Sequence, residues 1–148
     1  MPLFSHDAKA DALGRAPLFA ELGRGELHEL AKVTEDLEVE EGKVLCREGE
    51  TAREFFVIVD GEVEVTKGGE LVRKLGPGDF FGEIALIEHL PRTATVIARS
   101  PLRFFVLTSQ SFLALLDREA GVERQVLRAL ARRVLAAADD PTLDARAS

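Results

Sequence analysis

From Leu37 to Thr108 the chain breaks into short apolar or alternating runs punctuated by glycine, and this rhythm limits the folds open to it. The runs fall at 37–39, 44–46, 55–59, 63–66, 71–75, 93–98 and 102–107. Each has the length of a strand and is too short to present the apolar stripe of a packed helix. Asp60-Gly61, between two of the runs, is a hairpin signal. Many short strands at this spacing predict an antiparallel sandwich or barrel such as a jelly roll. Helical periodicity is confined to the flanks. Leu27, Leu30 and Ala31 give a short amphipathic helix over 25–33, and two further helical segments cover 110–118 and 122–138. The polar, alanine-rich start reads as a frayed helix or arm, and Pro17-Leu18-Phe19 makes a turn. Asp139-Asp140-Pro141 is expected to end order before a polar tail. The predicted organisation is an arm over 1–14, one domain over 15–138 and a tail over 139–148.

One segment departs from the strand pattern and carries the chemistry. Residues 76–96 read GPGDFFGEIALIEHLPRTATV. Gly76 and Gly78 flank Pro77, a turn composition that permits unusual backbone angles while proline fixes its own φ. Gly82 then precedes Glu83-Ile84-Ala85-Leu86-Ile87-Glu88, which favours a helix of one or two turns. The first N–H groups of such a helix have no internal partner and suit an anion, and Gly82 lets a ligand come close. Glu83, in the first turn, is stabilised by the helix dipole and can accept two hydrogen bonds from a diol. Arg92 follows Pro91, which disfavours helix at Leu90, and its guanidinium can fork onto phosphate oxygens as lysine cannot. Thr93 adds a hydroxyl and an N–H. A carboxylate for sugar, with a guanidinium and a helix terminus for phosphate, describes a nucleotide.

Composition narrows the alternatives. At 148 residues the chain is one domain with room for a substantial core. A single Cys46 excludes an internal disulfide, and no secretory or membrane-length apolar run appears, so the expected location is cytoplasmic with no membrane contact. A net charge of −7 argues against broad nucleic-acid binding, since that affinity rests on neutralised phosphates. His6, His28 and His89 lie far apart with one cysteine between them, so metal-ligand spacing is lacking and no cofactor is expected.

The segment FGEIALIEHLPRTATV resembles the phosphate-binding cassette of the cyclic nucleotide-binding domain family, found in catabolite-activator-type regulators, cyclic-nucleotide-gated channels and cyclic-nucleotide-dependent kinases. The similarity covers roughly 17–134. APLFAEL looks like the family's opening motif, and VIVDGEVEV looks like its central hairpin. The resemblance implies an antiparallel β jelly-roll barrel, mainly β with flanking helices: N-terminal helices, a short phosphate-binding helix and two C-terminal helices. It further implies that Glu83 binds the ribose 2′-hydroxyl and Arg92 the cyclic phosphate. The backbone of Gly82, Ile84 and Ala85 would line the cassette, and Thr93 would contact phosphate or base. Val65 and Ala94 complete the implied ligand-binding set.

Arg73 and the last helix have two readings each. Period-two alternation puts Arg73 on the face of Leu71 and Leu75, where a charge looking into the barrel would need a partner. It either meets the purine edge of a ligand or leans into water at the strand edge. In the resemblance, Arg73 with Thr93 looks like the arrangement of cGMP-selective kinase sites. The last helix sets Leu127, Leu130, Val134 and Ala137 on one stripe and Arg124, Arg128 and Arg132 on another. By resemblance it is a lid offering a hydrophobic cap and a homodimer surface; the arginines are a solvated ridge or meet an anionic partner. Only about ten residues follow Ala138, without a helix-turn-helix, so no direct DNA binding is expected. The expectation is a stand-alone, non-enzymatic receptor for a cyclic nucleotide, cAMP ahead of cGMP, signalling through its last helix to a protein effector. A ligand-free interaction module and a cupin-like metalloenzyme are the alternatives.

Overall fold

Two strands with apolar residues at almost every position set the architecture. β3 (Glu54–Asp60) reads EFFVIVD and β8 (Leu102–Thr108) reads LRFFVLT. Successive side chains of a strand point to opposite faces, so a continuous apolar run means that both faces are covered. Phe55, Val57, Phe105 and Leu107 pack with the helices, whereas Phe56, Ile58, Phe104 and Val106 pack between the sheets. The molecule therefore has two apolar layers divided by one sheet.

The structure, a computed structural model, describes residues 6–138. The helices are α1 (His6–Gly14), α2 (Arg24–Val33), α3 (Glu83–Ile87), α4 (Ser109–Arg118) and α5 (Ala120–Ala138), with a 3-10 turn at Pro17–Phe19. The other strands are β1 (Glu35–Val39), β2 (Val44–Cys46), β4 (Val63–Lys67), β5 (Glu70–Leu75), β6 (Phe80–Phe81) and β7 (Thr95–Ala98). They form two four-stranded sheets, β1-β8-β3-β6 and β2-β7-β4-β5, and every pairing is antiparallel. This is the jelly-roll arrangement, with the sheets facing each other and not closed into a continuous barrel. The expected tail at 139–148 and the first five residues lie outside the described residues.

Three expectations are corrected. Residues 6–14 of the expected arm form a docked helix: Ala10 and Leu13 of α1 are fully covered, and Lys9 donates to the backbone oxygens of Ala31 and Thr34 at the end of α2. Asp60-Gly61 is not a hairpin. β3 pairs with β8 and β6, and β4 with β7 and β5, so the chain crosses between sheets at that turn. Gly61 has φ 96°, and an added Cβ would sit 2.3 Å from the Pro101 oxygen. An aspartate-glycine pair specifies a tight reversal and says nothing about which strands it joins. The two-residue hairpin lies instead between β4 and β5, where Gly68 and Gly69 have φ of 60° and 82° and Lys67 pairs with Glu70. Finally, the buried stripe of α5 is Val122 and Val126, with Ala129 and Leu130 partly covered, while Leu127 and Val134 are exposed. The helix is rotated from the predicted face because Val122 and Val126 join the Phe19, Phe112 and Leu115 cluster.

Candidate functional site

Residues 80–92 run from the edge strand of one sheet through α3 to Arg92. Phe80 and Phe81 form β6 against Phe56 and Val57 of β3. Gly82 then turns the chain into α3 with φ 99°, and a Cβ there would meet Arg92 Nη1 at 2.8 Å and the Glu54 oxygen at 3.1 Å. Only glycine fits both the left-handed backbone and the approach of the guanidinium. After α3, His89 takes φ 55° and the Leu90 N–H closes on the Ala85 oxygen at 2.9 Å. The backbone of Arg92 pairs in both directions with the 49–50 loop: its N–H donates to Glu50 and its oxygen accepts from Gly49, each at 2.8 Å.

Arg92 and Glu83 are buried charges, 8% and 1% exposed. Arg92 donates to the Gly82 oxygen at 3.1 Å and the Glu54 oxygen at 2.6 Å, and lies 5.7 Å from the Phe56 ring centroid. Its acceptors are neutral carbonyls, so its full positive charge stays available. Both residues line one cavity of about 200 Å³. Gly82, Ile84 and Ala85 of the cassette reach it, as do Thr93 and Ala94 just before β7. Val65 and Arg73, register partners on β4 and β5, form the opposite wall. The structure thus brings together Val65, Arg73, Gly82, Glu83, Ile84, Ala85, Arg92, Thr93 and Ala94 on one cavity. A bulge between Val65 and Thr66 shifts the register of β5, so Val72 also reaches the cavity and Leu71 is exposed.

Among the cavity-lining residues that escaped the sequence reading, Arg133 makes the direct contact with Glu83. Arg133 of α5 forms an ion pair with Glu83 through Nη1, and Nη2 donates to the Phe80 oxygen at 2.9 Å. Its guanidinium stands 5.5 Å from the Phe80 ring centroid. The last helix therefore reaches the cavity through a cation, and the cap expected from Leu127, Leu130 or Val134 is not among its walls. The available signal was a phase relation: Arg133 follows Val122 and Val126 at helical spacing, a charge on the buried stripe.

Burial raises the pKa of the cavity-lining Cys46 thiol to about 11, with Arg92 opposing and Glu54 adding to the rise. Burial also lowers the pKa of Arg73, helped by the like charge of Arg133 and resisted by Glu83. Arg73, Arg92 and Arg133 thus share one carboxylate, which leaves the cavity positive and suited to an anion. Among the described residues there is no group of three or more His, Cys, Asp or Glu placed to hold a metal, and no helix long and apolar enough to cross a membrane.

The sequence profile described as "Cyclic nucleotide-binding domain" matches residues 36–119, more than half of the chain. The chain belongs to that family. A cAMP-dependent protein kinase regulatory subunit from Yarrowia lipolytica is 41% identical over 106 residues, covering 70% of this chain and 28% of the relative. A cyclic nucleotide-gated potassium channel from Rhizobium etli is 37% identical over 118 residues, covering 79% and 33%. In structure, the cAMP-binding acyltransferase from Mycobacterium smegmatis superposes with a TM-score of 0.74 and 30% identity, over 89% of this chain and 42% of that one. The chain spans a third or less of the length of these curated relatives. Within the cyclic nucleotide-binding domain, the matched span holds β2 to β8, all but the first residue of β1, and α3 and α4. Arg133 lies beyond it, so the contact between α5 and Glu83 comes from outside the segment that defines the family.

Proposed function

We propose that the chain is a non-enzymatic, cytoplasmic receptor for a cyclic nucleotide that acts on a protein effector through α5. The observation that carries this is the placement of two oppositely charged, buried side chains, Arg92 and Glu83, on one cavity. Arg92 takes the cyclic phosphate and Glu83 the ribose hydroxyl. Gly82, Ile84, Ala85 and Ala94 shape the cassette, and Val65 lies under the purine. Arg133 occupies Glu83, so a diol arriving there must displace or share that guanidinium, and α5 moves with it. The ligand acts by favouring one position of α5, and a tenfold bias requires about 1.4 kcal/mol of differential affinity. Leu127, Val134 and Leu135 are exposed on α5 and offer the surface an effector, or a second copy, would read.

cAMP is the first ligand, in line with the relatives named for it. Arg73 favours cGMP as a second reading: a guanidinium only donates, guanine offers two acceptors on its major-groove edge, and adenine offers one acceptor and one donor. Thr93 can serve either base. Isothermal titration with both nucleotides tests the proposal. Arg92→Ala should weaken binding at least about a hundredfold, as expected for removal of a charge-assisted phosphate contact, while circular dichroism retains the fold. Unchanged affinity in this variant would overturn the site.

A further inference from the structure

A second cavity, of about 280 Å³, lies on the other side of Arg73 and Arg133, between α5, the β5–β6 turn and the 3-10 turn. Arg73 and Arg133 line both cavities, and Lys74 and Arg132 join them in the outer one. These four cations come in pairs from two elements, β5 and α5. The side chains of Arg73, Lys74 and Arg132 make no hydrogen bond or ion pair among the described residues. The outer cavity holds one carboxylate, Asp79, which already accepts from the Gly76 N–H at 2.9 Å. Two half-buried guanidiniums at the back and two exposed cations at the mouth outnumber the single carboxylate of the recess and leave it positive. Burial and the charge of Arg133 also disfavour the charged form of Arg73. A bound anion would relieve both.

We propose that this outer cavity binds a small anion of the diphosphate class, bridging α5 and β5, and that the anion tightens nucleotide binding in the inner cavity. Two acidic groups match two pairs of donors. The coupling runs through Arg133, whose guanidinium serves either Glu83 or the outer anion. Drawing it outward frees the carboxylate for the ribose hydroxyl, and linkage makes the effect reciprocal. This second half rests on the receptor reading; the anion site itself does not.

The probe is inorganic pyrophosphate, titrated calorimetrically into the full chain at fixed ionic strength against chloride. Lys74→Ala with Arg132→Ala, both exposed positions, should weaken pyrophosphate binding about tenfold or more, as for loss of charged contacts. Arg128→Ala, an exposed arginine of the same helix outside the cavity, should leave it unchanged, as should Arg92→Ala. Saturating pyrophosphate should lower the nucleotide Kd of the parent about fivefold or more, the range of ordinary coupling energies. Matching thermal unfolding midpoints would establish that the variants are folded. No pyrophosphate binding to the parent, loss of binding in Arg92→Ala, or equal loss in Arg128→Ala overturns the site. An unchanged nucleotide Kd overturns the coupling. If pyrophosphate binds as stated and neither nucleotide binds, the receptor reading and the coupling fall together and the anion site stands.

Discussion

Glu83 is a carboxylate at 1% exposure, and Arg133 is the cation set against it. Removing one partner of such a pair costs more than the pair contributes, because the other charge stays buried alone. Arg133→Ala should therefore lower the unfolding free energy by about 3 kcal/mol in urea denaturation, with Arg133→Lys recovering part of the loss. An Arg133→Ala protein as stable as the parent would mean that water reaches Glu83 once the guanidinium is gone. Cys46 gives a prediction of a different kind. Its pKa is raised from 9.0 to about 11, so the folded state holds the thiol proton more tightly than the unfolded chain. That contribution is complete below about pH 9 and is lost as pH climbs to 11. Between about pH 8 and about pH 10.5 the parent should lose roughly 2 kcal/mol more stability than Cys46→Ala. Parallel pH profiles would show that the thiol is hydrated in the folded protein.

At the scale of elements, the turn into α3 depends on Gly82. Gly82→Ala sets a side chain at φ 99° and drives a methyl group against Arg92 and the Glu54 oxygen. The expected cost is about 2 kcal/mol of stability together with weaker nucleotide binding, because strain at such a position displaces the guanidinium it contacts. A variant with parental stability and affinity would show that the cassette relaxes freely. The same turn shows what a sequence discloses. Local chemistry was legible: glycine before the helix, glutamate within it and arginine after proline are near neighbours whose spacing reflects one folded unit. Pairing was not. Asp60-Gly61 and Gly68-Gly69 are both tight reversals, and only the second joins partners in one sheet, since pairing is decided by β7 and β8 arriving from later in the chain. Arg133 was hidden for a similar reason. It stands on a helix with Arg124, Arg128 and Arg132; its phase with Val122 and Val126 sets it on the buried stripe, but nothing local names the carboxylate fifty positions earlier that it meets.

Across the whole molecule, α5 is anchored at one end and exposed at the other. Val122 and Val126 are buried, whereas Leu127, Val134 and Leu135 are 59%, 67% and 66% exposed. Hydrogen exchange should consequently be faster in the second half of α5 than in β3 and β8, whose amides lie in the doubly covered sheet. Added cyclic nucleotide should change exchange in that half of α5 and around Phe80–Phe81 together, because Arg133 touches both. A change confined to the cassette would mean that the ligand does not move the helix. The doubly covered sheet has a consequence of its own. Phe55 and Phe56 are adjacent in the chain, yet one stacks on Phe112 of α4 at 4.1 Å and the other on Phe81 beside the cassette at 4.7 Å. β3 and β8 act as a party wall between two tenants. Rings on the helix side and rings on the cavity side are therefore packed by different neighbours, and Arg133 is the link that crosses between them. Such a wall lets the cavity side keep its own packing while the helix side answers to other neighbours.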